Sequence, residues 1–171
     1  FTNAMIDTIS ANYNINADRI YSTGMSNGGY FSFRLACELS NRIAAIASVT
    51  GSMTPETLSA CNPQHAMPMM QIHGTTDGTV PYNGGVLWSE SIEDVMTYWI
   101  NFNNCDATPK INEVPDISPN DNCTSDHFVY TNEDTEITTE HFKIYDGGHT
   151  WPGAPFNFAG TNQDFSASDE I

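Results

Sequence analysis

Apolar positions change their spacing several times along the 171-residue chain, and each change predicts an element. In "FTNAMIDTISANY" Phe1, Met5, Ile6 and Ile9 recur at helical spacing, and Asn14 and Asn16 mark the exit. "DRIYSTG" reads as a short strand, after which Phe31, Leu35 and Leu39 of "GYFSFRLACELS" return to a helical rhythm. "RIAAIASVTG" and "MPMMQIHG" are continuous apolar runs of strand length, as expected for strands buried on both faces. "SESIEDVMTYWINFN" predicts a helix with Ser89 as N-cap, Glu90, Glu93 and Asp94 in its first turns, and Ile92, Val95, Met96, Trp99 and Ile100 on one face. Residues 107–126, rich in Pro, Asn and Asp, predict a long surface excursion. "HFVYTN" and "TTEHFKIYDGG" alternate like a hairpin, and "TNQDFSASDEI" offers Ser166 or Ser168 as the N-cap of a last helix. Strands alternating with helices predict an α/β fold, a mostly parallel sheet with helices on both faces. In such sheets the chemistry lies beyond the C-terminal ends of the strands.

Length suits one domain, residues 1–171, with one core. Charge narrows its partners: 5 Lys and Arg face 21 Asp and Glu, a formal net charge of -16. No basic patch can track a phosphate backbone or an anionic lipid surface, so neither nucleic acid nor membrane is an expected partner. No apolar run approaches the roughly 20 residues of a membrane span. Four cysteines, Cys37, Cys61, Cys105 and Cys123, include no C-x-x-C pair, and no metal site or cofactor is expected. Two disulfides are the expectation, nearest-neighbour pairing giving Cys37 to Cys61 and Cys105 to Cys123, with the other connectivities and free thiols as alternatives. Disulfides would imply a secreted protein.

The chemistry gathers around "STGMSNGGYFSF", where Ser26 stands between Gly24 and Gly28 at a predicted strand-to-helix turn. A serine at such an apex sits in strained backbone that exposes its hydroxyl, and flanking glycines remove Cβ atoms that would clash as the turn closes. A serine nucleophile needs a base, and the base needs an acid to orient it. "IHGTTDGTVPY" places Asp77 in a loop after a buried strand, and "YDGGHTWPG" places His149 in a loop after the last strand. Each alone has a plainer reading: Asp77 as an Asx-turn residue before Gly78, His149 as a loop histidine. Together they stand in the order Ser, Asp, His. His73, before Gly74, is expected to be a hydrogen-bonded structural residue under the Asp77 loop.

"GMSNGG", "IHGTTDGTVPY" and "DGGHTWPG" resemble segments of the secreted α/β-hydrolase esterases grouped as polyhydroxybutyrate depolymerase, feruloyl esterase and LpqC-type proteins, over about residues 18–153. The resemblance implies an ester hydrolase with Ser26 as nucleophile, Asp77 as acid and His149 as base. It places the backbone N–H of Asn27 in the oxyanion hole. Trp151 and Tyr82, beside matched motifs, are candidates for an acyl or aryl pocket. Expected substrates are short-chain, hydroxyalkanoate or feruloyl-type esters, with a serine peptidase or an inactive assembly module as rivals. Only one helix and one strand precede Ser26, whereas the family sets several strands before it, so the chain is expected to be a C-terminal portion that lacks the early strands. The sheet edge left exposed predicts a homo-oligomer.

Overall fold

The computed structural model describes residues 1–85, 87–156 and 158–171. Helix α1 (Thr2–Asn12) leads to β1 (Tyr21–Met25), which turns directly into α2 (Asn27–Glu38). Then come β2 (Ala45–Val49), α3 (Pro55–Ala60), β3 (Met69–Gly74) and α4 (Ile92–Phe102). The chain finishes with β4 (Lys110–Val114), β5 (Thr124–Thr131), β6 (Thr138–Tyr145) and α5 (Ala167–Glu170). These strands form one sheet in the order β1-β2-β3-β6-β5-β4. β1, β2, β3 and β6 run parallel, and β5 and β4 add antiparallel.

Strand alternation explains how the two faces are covered. Ile46, Met69 and their neighbours point toward α1, α2 and α4, where Ile6, Phe33, Trp99 and Met96 complete the larger core. Val49, Ile72, Phe142 and Ile144 point the other way, against Ala167 of α5, Phe165 and Trp151. Three long helices thus share one face, while the opposite face is covered by the C-terminal segment.

Three local expectations are corrected. The N-cap of α4 is Ser91, whose Oγ accepts from the N–H of Asp94, and not Ser89. Ser89 is buried and accepts a hydrogen bond from Tyr30 Oη at 2.6 Å. The 107–126 excursion contains an edge strand, β4, paired with β5 from Lys110 opposite Val129 to Val114 opposite Ser125. Cys37 and Cys61 form a disulfide, but Cys105 and Cys123 are free. Cys105 lies near Thr139, at the end of β5 where Asp106 N–H bonds Thr131, whereas Cys123 precedes Thr124 at its start. The length of that strand, about 25 Å at the usual rise per residue, keeps the two sulfurs apart.

Candidate active site

β1 and α2 meet at Ser26, whose backbone adopts φ 57° and ψ -118°, a conformation L-residues rarely hold. The Ser26 N–H donates to Val49 O at 2.8 Å, and its carbonyl accepts from Tyr30 N–H at 3.1 Å, so sheet and helix both fix the turn. Asn27 is the first helical residue, and its N–H has no acceptor within the helix. It points a donor outward at the positive end of a twelve-residue helix. The flanking glycines have unequal tasks. A Cβ on Gly24 would lie 2.8 Å from the Cα and C of Gly28, whereas a Cβ on Gly28 would meet nothing within 4 Å.

The second and third residues come from loops after adjacent strands. β3 and β6 pair in parallel, so their C-terminal loops leave the sheet side by side. Thr75 N–H donates to Ile144 O at 2.8 Å and Thr76 N–H to Gly147 O at 3.0 Å, which laces the loops together. Gly74 permits that approach, because a Cβ there would collide with the Gly147 carbonyl. Asp77, 4% exposed, divides its carboxylate between two tasks. Oδ1 accepts from the N–H groups of Thr79 and Val80, each at 2.8 Å, and Oδ2 faces His149 Nδ1 at 2.8 Å. Asp77 thus closes an Asx turn with one oxygen and binds the His149 ring with the other. A carboxylate on Nδ1 leaves Nε2 as the ring's proton acceptor. Ser26, Asp77 and His149 share one edge of the sheet, beyond the C-terminal ends of β1, β3 and β6. The hydrogen bond of the His149 ring runs to Asp77, and none reaches Ser26 Oγ among the described residues.

Beneath Asp77 lies His73, fully buried, with Nδ1 accepting from the Gln71 amide at 2.9 Å and Nε2 donating to Val80 O at 2.9 Å. Burial pushes its pKa down, against the opposing pull of the Val80 carbonyl and Asp77, so the ring is held neutral. This agrees with a structural residue under the loop. Tyr30 was not singled out from the sequence. Its half-buried hydroxyl binds Ser89, its ring packs 6.3 Å from Trp88, and burial followed by the charge of Asp77 raises its pKa against the lowering bonds from Ser89 and Ser52. Its position four residues after Ser26, one helical turn on, was the available signal.

Tyr82 does not reach the surface of the site. It is 5% exposed and joins the larger core, where Oη donates to Glu93 at 2.8 Å and meets His141 Nε2 at 2.9 Å. The apolar pattern around "VPY" hid the fact that Tyr82 packs inward against α4 and β6. The indole N–H of Trp151 is held by Ser168 Oγ at 3.1 Å and its ring packs on the smaller core. His65 binds the Ser40 and Ala66 carbonyls, and His127 pairs with Glu140 at 2.7 Å. Among the described residues no cluster of three metal-binding side chains occurs.

Residues 2–112, which carry Ser26 and Asp77, match the family described as phospholipase/carboxylesterase. The chain belongs to that family. The putative esterase NocK of Nocardia uniformis subsp. tsuyamanensis is 25% identical over 92% of this chain and 49% of its own length. Feruloyl esterase B of Piromyces equi is 30% identical over 87% of this chain and 28% of its own length. The chain thus spans about half of the first relative and a little over a quarter of the second. Among solved structures, acetyl xylan esterase from Aspergillus awamori superposes with a TM-score of 0.61 at 14% identity, over 87% of this chain and 62% of that one. The shared fold is that of an α/β-hydrolase.

Proposed function

We propose that this chain carries the catalytic residues of a serine-type carboxylic ester hydrolase, with Ser26 as nucleophile, His149 as base and Asp77 as the acid that orients it. The observation that carries the reading is the Asp77–His149 hydrogen bond on the sheet edge where the strained Ser26 turn ends β1. In the reaction, His149 Nε2 takes the Ser26 proton as Oγ attacks the ester carbonyl carbon, and the carbonyl oxygen gains the negative charge. The Asn27 N–H donates to that oxyanion. Collapse of the tetrahedral intermediate expels the alcohol, which receives the proton from His149. Water then adds to the acyl-serine with His149 again as base, releasing the acid and restoring the hydroxyl.

The substrate classes are short-chain, feruloyl or acetyl esters and hydroxyalkanoate oligomers, supported by relatives named for feruloyl ester, acetylxylan and poly(3-hydroxyoctanoate) hydrolysis. The Cys37–Cys61 disulfide supports an exported protein. β1 stands at the sheet edge with Tyr21 59% exposed, which supports self-association; sedimentation of the purified chain as a monomer would remove that part of the reading.

The deciding experiment treats the chain with a fluorophosphonate and maps the adduct by mass spectrometry, with His149→Ala in parallel. Modification at Ser26 that disappears in the variant is expected. An inert Ser26 in the folded chain would overturn the reading in favour of an assembly module, and faster cleavage of an anilide than of the matched p-nitrophenyl ester would favour a peptidase.

A further inference from the structure

Under the sheet edge that carries the site, a buried chain of polar groups starts beneath the helix of Ser26 and ends on Asp77. Its first member is the Gly51 carbonyl. Gly51 follows β2 and packs beneath the first turn of α2, where a Cβ on it would stand 2.7 Å from the Cα of Gly29. Its carbonyl accepts from the Gln71 side-chain amide at 2.8 Å, and the same amide nitrogen lies 2.9 Å from His73 Nδ1. Two N–H bonds thus serve two acceptors, which fixes the amide's orientation, makes Nδ1 a lone pair and leaves the His73 proton on Nε2. Gln71 and His73 are fully buried on β3, two residues apart and so on one face of it. The Tyr82 ring meets the imidazole edge-on, with 5.9 Å between centroids, and holds its plane.

From there Nε2 reaches both ends of the Asp77 turn. It donates to Val80 O at 2.9 Å, and the N–H of Val80 in turn donates to Asp77 Oδ1 at 2.8 Å. It also stands 3.4 Å from Asp77 Oδ2, the oxygen that faces His149, with both side chains fully buried. That separation is long for a second hydrogen bond, yet at low local dielectric the positive end of the N–H dipole acts on the carboxylate charge. Packing alone would be served better by aliphatic side chains like that of Met69 on the same face. Gln71 Oε1 has no partner among the described residues, and such an atom is costly to bury.

We propose that His73, locked by Gln71 as the Nε2–H tautomer, is a positioning residue that holds the Val80 turn and shares Asp77 Oδ2 with His149, a role that rests on the esterase reading above. Oδ1 is filled by two backbone N–H groups, so the turn that carries them sets where Oδ2 points. Because the relay begins under α2, it registers the residue that orients the base against the helix that carries the nucleophile. Burial keeps His73 neutral, so it steers the carboxylate without cancelling the charge that stabilises the imidazolium of His149.

His73→Leu removes the donor at similar bulk, and His73→Gln restores an N–H near the place of Nε2. On p-nitrophenyl acetate, His73→Leu is expected to lower kcat about tenfold, the order of one hydrogen bond to a charged group, with KM unchanged and His73→Gln recovering most of the loss. NMR of the chain with isotope-labelled histidine reads the same link without turnover. Losing the second donor makes Oδ2 a stronger acceptor, so the His149 Nδ1–H resonance should move downfield in His73→Leu and return in His73→Gln. Ester hydrolysis and resonance both unchanged in a folded His73→Leu, or a loss that His73→Gln does not recover, make His73 a packing residue and overturn the inference with the esterase reading intact. A resonance that moves and returns in a chain that hydrolyses no ester upholds the positioning role and overturns the esterase reading. If His73→Leu does not fold, the wild-type spectrum decides. A neutral His73 with its proton on Nε2 is expected, whereas a proton on Nδ1 would turn a lone pair toward Oδ2 and overturn the inference.

Discussion

Asp77 Oδ2 and His149 Nδ1 meet at 2.8 Å although 72 residues separate them. The contact exists because β3 and β6 are parallel neighbours and their exit loops share the hydrogen bonds of Thr75 and Thr76. Asp77→Asn preserves the turn oxygen but can no longer offer a carboxylate to Nδ1–H, which favours the wrong imidazole tautomer. We expect kcat on p-nitrophenyl acetate to fall by about 10⁴-fold with little change in KM. Steady-state kinetics check this, and a fall under tenfold would remove Asp77 from the acid's role.

The two glycines of the Ser26 turn should respond in opposite ways. Gly24→Ala places a methyl 2.8 Å from the Gly28 backbone, so the turn must open and fluorophosphonate labelling should be lost. Gly28→Ala meets open space inside α2 and should hold or raise stability by up to about 1 kcal/mol through helix propensity. Urea midpoints and labelling yields of the two variants check the contrast.

The cysteines give a chemical count. Among the four, the structure leaves Cys105 and Cys123 free, so thiol titration of the denatured, unreduced protein should return two equivalents. In the native protein Cys123 should react slowly, because burial and then the charges of Asp121, Asp146 and Asp164 push its thiol up to about 11. Replacing Cys37 and Cys61 by Ser should cost about 3 kcal/mol, as expected for a cross-link spanning 24 residues. Denaturant unfolding of that double variant measures it.

Acid should weaken the fold through buried imidazoles. His141, enclosed between the Gln71 carbonyl and Tyr82 Oη, is held down to about 4, chiefly by burial and, among charges, by His73 and Lys143 against the pull of Glu93. In the unfolded chain the same ring titrates near 6.5. Between those values the unfolded state binds a proton that the native state refuses, so stability is full above pH 6.5 and is lost as pH falls toward 4. The His141 contribution is on the order of 3 kcal/mol, and His73, lowered by burial, acts in the same direction. Urea unfolding at pH 7 and pH 4.5 reads the loss; His141→Gln should reduce the pH dependence even if it lowers the overall stability.

Local pattern located most elements and the candidate residues because the information is local. Continuous apolar runs marked β2 and β3, alternation marked β5 and β6, and a serine between glycines at a strand-to-helix turn marked Ser26. Where a residue's role depends on what lies across the fold, the pattern fell short. Ser89 looked like a cap but became the acceptor for Tyr30 Oη, since the N-cap falls two residues later at Ser91. Tyr82, the last residue of the segment that resembles the family's, turned into the core to meet Glu93 and His141.

The sequence by itself determined the periodicities, the charge balance, the family motifs and the order Ser26, Asp77, His149, because each is read along the chain and needs no contact across the fold. Tertiary structure alone decided which cysteines bond, which face receives α1, α2 and α4, and that Asp77 serves the turn and the histidine together. Those outcomes follow from strand order and register: the length of β5 holds Cys105 and Cys123 apart, while the pairing of β3 with β6 brings together two loops that the sequence leaves 72 residues apart.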